Sequence, residues 1–195
     1  FLNGPTIFKN ITITAPRYYD RAISANGFDL TYGEGTKFAF HNDWNVPKGS
    51  SNANLSNWNS FRTDLLSGTN TKTESLDVNI ESQFIGTSDA NKSGIRIGNE
   101  SNTTSTYGGN INLTVDNSAA TPTINLGNED GGTVTVDGNV NINIKSANSF
   151  TINSEVTHAF AANALQVIIS GGTYTGDVES FSNVTLTEGA YYLYN

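Results

Sequence analysis

Short segments in which apolar and polar residues alternate recur along this chain, separated by Gly, Asn and Asp. The clearest are Ile7–Ile13, Ile111–Val115, Thr123–Leu126, Thr133–Val136, Val140–Ile144 and Val184–Leu186. Alternation with a period of two places the apolar side chains on one face of a β-strand and the polar side chains on the other. Strands this short bury their apolar face only when equivalent strands stack on one another. The pattern therefore predicts an all-β repeat fold.

Grouping the segments in threes predicts about five coils of a single-stranded parallel β-helix that forms one domain over residues 1–195. The five groups are Ile7–Ile13 with Phe28–Tyr32 and Lys37–Phe40; Leu76–Ile80 with Gln83–Ile85 and Ile95–Ile97; Ile111–Val115 with Ile124–Leu126 and Val134–Val136; Val140–Ile144 with Phe150–Ile152 and Leu165–Ile169; and Tyr174–Phe181 with Val184–Leu186 and Tyr191–Tyr194. With a spacing of roughly 4.8 Å between strands, such a column is about 24 Å tall.

The alternation stops between residues 41 and 73, where Asn, Ser and Gly dominate and both tryptophans, Trp44 and Trp58, occur. We interpret this stretch as an irregular insertion that leaves one corner of the column. The apolar residues Trp58, Phe61, Leu65 and Leu66 recur at helical spacing. Ser56 or Asn57 could cap the start and Gly68 supplies a stop, which predicts a short amphipathic helix within the insertion.

The same strands could instead pair antiparallel in a β-sandwich, a class that also has many short strands and Gly-rich or Asn-rich turns. Asp137-Gly138 is a favourable two-residue hairpin turn, so a hairpin between Val134 and Val140 is the main competing arrangement. The variable spacing of the segments favours the β-helix, and the sandwich stays open as the alternative.

Composition restricts the function more than the fold. The net charge of −8 and the scarcity of Lys and Arg, 10 in all, argue against binding to nucleic acid or an anionic membrane surface. The absence of Cys excludes disulfides and thiolate chemistry, and no segment is long and apolar enough to insert into a membrane. The chain has 27 Asn and 24 Thr, a composition that fits an extracellular or cell-surface location.

Catalytic signatures are weak. His41 and His158 lie in unrelated contexts, and neither belongs to a metal-ligand pair or a known catalytic motif. A carbohydrate-active β-helix enzyme would align carboxylates from successive coils in a cleft. The candidates for such a role are Asp116, Asp130, Asp137 and Asp177, with Arg96 and Lys145 as the basic residues near central strands. Because these Asp residues occupy turn positions that Asp favours for local reasons, we predict no catalytic residues.

Metal binding has one weak candidate. Residues 128–132 place the carboxylates of Glu129 and Asp130 beside flexible glycines, and Ca²⁺ prefers such hard oxygen ligands. The segment lacks the spacing of known calcium loops, so an acidic surface turn is the simpler interpretation. We therefore predict neither a metal nor another cofactor.

The outward positions of two central strands are a better candidate site. If Ile and Val point inward, then Asn112 and Thr114 share an outer face with Asn141 and Asn143, and Asn79 extends the row. Stacked amides stabilise such a column by hydrogen bonding along it. The face could also bind sugar hydroxyls, with Trp44, Trp58 or Tyr107 as stacking platforms.

Two N-terminal segments, Gly4–Ile13 and Ser24–Gly35, resemble the β-helix regions of large bacterial cell-surface proteins, including adhesin-like proteins, of the right-handed parallel β-helix superfamily. The resemblance implies a surface-exposed adhesive or scaffolding region and transfers no functional residue. We therefore expect a non-enzymatic extracellular module that binds a glycan or a surface protein. A β-helix polysaccharide lyase or glycoside hydrolase is the alternative.

Both termini carry apolar residues, Phe1 and Leu2 at one end and Tyr191–Tyr194 at the other. Open ends of a solenoid need to be covered, so we expect that end-to-end association is available to this chain.

Overall fold

A computed structural model of the chain describes residues 1–16, 23–41, 62–84, 94–99, 104–128, 131–154, 159–170, 172–176, 183–186 and 190–194. These ranges contain β-strands, turns and irregular segments, and no helix. In chain order the strands are β1 (Thr6–Phe8), β2 (Thr12–Pro16), β3 (Ile23–Ser24), β4 (Leu30–Tyr32), β5 (Lys37–His41), β6 (Arg62–Asp64), β7 (Thr69–Asn70), β8 (Leu76–Ile80), β9 (Gly94–Ile97), β10 (Ser105–Tyr107), β11 (Ile111–Asp116), β12 (Thr123–Leu126), β13 (Thr133–Val136), β14 (Val140–Ser146), β15 (Phe150–Ser154), β16 (Ala159–Ala162), β17 (Leu165–Ile169), β18 (Gly172–Gly176), β19 (Asn183–Leu186) and β20 (Ala190–Tyr194).

The strands form four sheets in which neighbouring strands come from different parts of the sequence. Sheet I has the order β1-β4-β8-β11-β14-β17-β19, and sheet II has the order β3-β6-β9-β12-β15-β18-β20. Sheet III contains β7-β10-β13-β16, and β2 pairs with β5 in a small fourth sheet. Every strand pair within the described ranges is parallel. The fold is all-β, with parallel sheets of stacked short strands, and is compatible with a β-helix or solenoid.

The chain visits the sheets in a repeating order. From β8 to β16 it passes three times from sheet I to sheet II to sheet III, and β17 then returns to sheet I. Sheets I and II each contain seven strands in the described ranges, so the five coils expected from the sequence are too few. Six steps of about 4.8 Å give sheet I a height of roughly 29 Å.

The core lies between the sheets and is built from the inward residues of the alternating strands. In β11, Ile111, Leu113 and Val115 have no exposed surface, whereas Asn112 and Thr114 are half-buried. The strand β14 has the same pattern. This alternation confirms the predicted division of both strands into an apolar inner face and a polar outer face.

Aromatic side chains fill the core near the N-terminal strands. The ring of Tyr32 stacks on Phe8 with 5.7 Å between centroids, and it also contacts Phe38 at 5.2 Å and Phe84 at 5.8 Å. The Tyr32 hydroxyl shares a hydrogen bond of 2.5 Å with Thr63 Oγ1 on sheet II. This hydrogen bond connects sheet I to sheet II across the interior.

Several sequence-based predictions were wrong in detail. The hairpin at Asp137-Gly138 does not form, because β13 belongs to sheet III and β14 to sheet I. The segment Leu165–Ile169 stacks on β14 and so starts a new repeat, and the strand β16 was missed. The alternative of an antiparallel sandwich is not supported, since the described strand pairs are parallel.

The helix predicted around Trp58–Leu66 is also wrong where the structure describes it. Arg62–Asp64 is a strand of sheet II, and the side chains of Leu65 and Leu66 are fully buried in the core. The residues of β6 and β7, which the prediction placed in the insertion over 41–73, therefore belong to the sheets. Trp44, Trp58 and the rest of 42–61 lie outside the described residues.

Candidate functional site

A cavity of about 350 Å³ lies at the corner where the chain passes from sheet III to sheet I. We call it the corner cavity. Its wall consists of Pro5, Gly27, Phe28, Asp29, Lys72, Glu74, Ser75 and Tyr107. Residues 27–29 directly precede β4, residues 72–75 connect β7 to β8, and Tyr107 ends β10. Pro5 directly precedes β1, so the cavity is assembled from four successive passages of the chain through this corner.

A tight turn at Asn26-Gly27 shapes one wall of the cavity. Both residues have positive φ, 54° at Asn26 and 71° at Gly27, a backbone region that Asn and Gly adopt most readily. A Cβ at Gly27 would collide with the side chain of Asn70 and approach Tyr107 Cε2 to 3.4 Å. The glycine therefore lets this turn pack closely against the next two passages of the chain.

The Lys72 ammonium forms part of the same wall of the cavity. Its Nζ is 3.3 Å from the centroid of the Phe28 ring and donates a hydrogen bond of 2.9 Å to the main-chain oxygen of Gly27. The backbone N–H of Lys72 donates to Asn70 Oδ1 at 3.1 Å, which fixes the start of its loop. An ammonium placed over an aromatic face is attracted by the negative potential of the ring.

Tyr107 forms the inner wall and is 1% exposed. Its hydroxyl donates to the main-chain oxygen of Glu74 at 3.2 Å. Burial raises the pKa of the Tyr107 phenol, and the charges of Asp29, Glu74 and Asp77 raise it further.

A chain of polar contacts leads from the corner cavity onto the outer face of sheet I. Asp29 Oδ1 accepts the backbone N–H of Asp77 at 2.9 Å, and Asp77 Oδ1 accepts the side-chain amide of Asn112 at 2.8 Å. Asn112 Oδ1 in turn accepts the side-chain amide of Asn141 at 2.8 Å. We call these four residues the polar row. It crosses successive strands of one sheet and begins at the cavity wall.

A second line of outward residues runs beside the polar row. Asn79 Nδ2 donates to Thr31 Oγ1 at 3.4 Å, and Thr114 lies opposite both Asn79 and Asn143 in strand register. The predicted placement of Asn79, Thr114 and Asn143 on one outer face is confirmed. The hydrogen bonds between stacked side chains support the stabilising role that the sequence suggested.

The aromatic candidates have different outcomes. Tyr107 contributes to a cavity wall and is 1% exposed, and its predicted contact with a sugar stays a prediction. Phe28, which the sequence analysis did not single out, is the half-buried aromatic ring of this site. Glu129 and Asp130, the weak calcium candidates, lie outside the described residues, as do Trp44 and Trp58.

The acidic residues that meet at the cavity are not those considered from the sequence. Asp116 ends a strand of sheet I, Asp137 follows a strand of sheet III, and both are exposed. Asp130 and Asp177 lie outside the described residues. Asp29 and Asp77 could have been found by aligning Leu30–Tyr32 with Val78–Ile80, because that register places the two carboxylates on neighbouring passages.

The described ranges lack two further features. No group of three or more His, Cys, Asp or Glu residues has a geometry that could hold a metal ion. No helix with the length and apolar character of a membrane span occurs there either.

Comparisons of the chain with protein-family models, with curated proteins and with solved structures find no match. The function must therefore be argued from the corner cavity and the polar row themselves.

Proposed function

We propose that the chain forms a right-handed, single-stranded parallel β-helix with three sheets and serves as a non-enzymatic binding module for glycans. Parallel pairing throughout the described ranges and the repeated order of sheets I, II and III support the β-helix. Right-handed crossovers are the strong preference of parallel strands.

The observation that carries the glycan-binding proposal is the continuity of the corner cavity with the polar row. A cavity of about 350 Å³ has room for a small ligand group. The polar row then continues along the column from Asp29 and Asp77 to Asn112 and Asn141. An extended polymer could place one unit in the cavity and the following units along the row.

The chemistry of the lining suits sugars. Carboxylates and amide oxygens accept hydrogen bonds from hydroxyl groups, and side-chain amides also donate them. Asp29 and Glu74 are exposed at the cavity, and Phe28 offers an apolar ring beside them. Sites for small ligands generally combine such apolar surface with a few polar groups that fix orientation.

A carbohydrate-active enzyme is the second candidate, because Asp29 and Glu74 line the corner cavity and Asp77 donates its backbone N–H to Asp29. Hydrolysis by two carboxylates needs one of them as a general acid, and such groups are normally desolvated. All three carboxylates are exposed here, and Asp29 already accepts a backbone hydrogen bond. This arrangement favours binding over catalysis.

The location and partners belong to the same proposal. The Asn-rich and Thr-rich acidic composition, together with the resemblance to bacterial surface proteins, supports an extracellular or cell-surface module with adhesive or scaffolding use. A surface protein is the other partner class, and end-to-end association of two copies is a further expectation.

A glycan array tests the proposal, using the intact protein, a Phe28→Leu variant and an Asp29→Asn variant. The Asp29→Asn substitution keeps an acceptor for the Asp77 backbone N–H, so it removes the charge with little change in the turn. Asp116→Asn is the matched control, because Asp116 is exposed and lies outside the cavity wall. We expect both cavity variants to bind glycan more weakly than the natural sequence and the control to bind as well as it does.

Other outcomes would decide against parts of the proposal. Equal binding by all four proteins would remove the corner cavity as the glycan site. Release of new reducing ends from a bound glycan would show that the chain is an enzyme. A Trp44→Ala, Trp58→Ala double variant tests the predicted tryptophan contacts, and unchanged binding would exclude them.

A further inference from the structure

The wall of the corner cavity includes the ammonium group of Lys72, and the contacts of this group indicate which kind of ligand the cavity can bind. Lys72 Nζ lies on the Phe28 ring face and donates to the Gly27 carbonyl oxygen. The lysine comes from a loop 45 residues beyond that carbonyl, so the contact is made between separate passages of the chain. The cavity wall therefore provides an aromatic face and a main-chain acceptor that suit a primary amine.

The charges around this ammonium leave the cavity negative. Asp29 and Glu74 line the wall together with Lys72, and Asp77 adjoins them through its bond to Asp29. Burial, and after it the same three carboxylates, raise the pKa of the Tyr107 phenol, which belongs to the cavity wall. An anionic sugar would be repelled here, whereas a cationic group would be attracted.

We propose that the corner cavity is selective for glycan units with a free, protonated amino group, and that Lys72 occupies the ammonium subsite when no ligand is bound. The inference rests on the proposed glycan-binding function and specifies the ligand class. When an amino sugar binds, its ammonium replaces that of Lys72 on the Phe28 ring, and the flexible lysine side chain turns outward to solvent.

This exchange makes Lys72 an internal competitor. Removing its charge while keeping a side chain of similar length vacates the subsite and leaves the carboxylates in place. Lys72→Met should therefore bind an amino glycan more tightly than the natural sequence does. By contrast, a lysine that itself contacts the ligand would weaken binding when it is replaced.

Calorimetric titration at physiological ionic strength tests the proposal with three probes: a short oligomer of β-1,4-linked glucosamine, its N-acetylated counterpart and an oligomer of galacturonate. The proteins are the natural sequence, Lys72→Met, Phe28→Leu, Asp29→Asn and the control Lys145→Met, which replaces an exposed lysine near the end of β14. Circular dichroism checks that each variant is folded.

We expect the natural sequence to bind the glucosamine oligomer about tenfold more tightly than the N-acetylated oligomer, and the galacturonate oligomer least. Lys72→Met should bind the glucosamine oligomer roughly two- to fivefold more tightly, which matches the usual strength of an ammonium on an aromatic ring. Phe28→Leu should lose the preference for the free amine, and Lys145→Met should behave like the natural sequence.

Equal affinity of the natural sequence for the free and the acetylated oligomer would overturn the amine selectivity. If Asp29→Asn nevertheless bound both oligomers more weakly, the proposal of glycan binding at the cavity would stand. Weaker binding of the glucosamine oligomer by Lys72→Met would overturn the competitor role. A lysine oligopeptide that binds more tightly than the glucosamine oligomer would assign the cavity to a basic peptide instead. Absence of binding to all probes by both the natural sequence and Lys72→Met would overturn the proposal, while the glycan array decides the general function separately.

Discussion

The side-chain amide of Asn141 donates a hydrogen bond of 2.8 Å to Oδ1 of Asn112, which lies 29 residues earlier and directly opposite in strand register. Asn112 donates in turn to Asp77, 35 residues before it. The contact therefore joins side chains of consecutive passages through sheet I, in addition to the backbone ladder. These side-chain bonds help to fix the alignment of neighbouring strands on the outer face of sheet I.

Asn112→Ala should lower the free energy of unfolding by about 1–2 kcal/mol, because the substitution removes the bonds to both Asp77 and Asn141. Asn141→Ala removes the bond to Asn112 and should cost less, about 0.5–1 kcal/mol. Urea unfolding followed by circular dichroism measures both values. Lys145→Ala, at an exposed site near the end of β14, is the control and should change stability by less than about 0.5 kcal/mol. If all three variants were equally stable, the polar row would have no structural role.

The strands with strict alternation could be predicted from the sequence, and the repeat number could not. Ile111–Val115 and Val140–Ile144 have one buried face each, so their pattern is visible without a structure. Ala159–Ala162 has no such alternation and was missed. Hydrogen-bonded partners on successive passages are 48, 35, 29 or 26 residues apart, so no fixed period marks where a repeat begins.

The candidate site was only partly accessible to sequence reasoning. The outward positions of Asn112 and Asn141 follow from alternation alone. The position of Lys72 on Phe28 depends on a loop conformation and on a turn with positive φ at Asn26 and Gly27. No local sequence pattern specifies the conformation of that loop, so the contact between the Phe28 ring and the Lys72 ammonium could not be predicted.

Gly94→Ala should destabilise the protein by roughly 3 kcal/mol or more, because Gly94 has φ of 111° and a Cβ there would overlap the carbonyl oxygen of Thr123 on the next strand of sheet II. Gly4→Ala is the matched control, since a Cβ at Gly4 meets no atom within 4 Å. Thermal unfolding of the two variants compares them directly. Similar midpoints would mean that the strands of sheet II do not approach as closely at Gly94 as the structure indicates.

Asp64 and Arg96 are opposite each other on adjacent strands of sheet II, and neither has exposed surface. Arg96 also donates from Nη1 to the main-chain oxygen of Gly127 at 3.1 Å. Arg96→Met leaves a buried carboxylate without its opposite charge and should cost about 3–5 kcal/mol. Asp64→Leu combined with Arg96→Met removes both charges and should recover a large part of that loss.

A double-mutant cycle in urea measures this coupling. The expected result is a double variant clearly more stable than the sum of the two single losses predicts. Simple additivity would show that the two side chains act independently in the folded protein.

Because the phenol of Tyr32 is buried, we expect the protein to lose stability at alkaline pH. Burial raises the pKa of its phenol well above the usual value, with the hydrogen bond to Thr63 acting weakly in the opposite direction. Above about pH 10 the unfolded chain therefore loses this proton while the folded chain keeps it. Because the unfolded state then binds fewer protons, the free energy of unfolding falls with rising pH, by at most about 1.4 kcal/mol per pH unit for one group. Below that pH, Tyr32 contributes no pH dependence.

Tyr32→Phe should remove this alkaline term and, at neutral pH, should cost about 1–3 kcal/mol because the buried Thr63 hydroxyl loses its partner. Thr63→Val is the matched control, since it removes the same hydrogen bond and retains the phenol, so its stability should still decline above about pH 10. The pKa of Tyr107 is raised in the same direction. Its phenol therefore adds a smaller decline of the free energy of unfolding with pH in every variant except Tyr107→Phe. Urea unfolding from neutral to strongly alkaline pH separates these cases. A slope in Tyr32→Phe as steep as in the natural sequence would contradict the assignment, because the buried phenol could not then be the group that titrates.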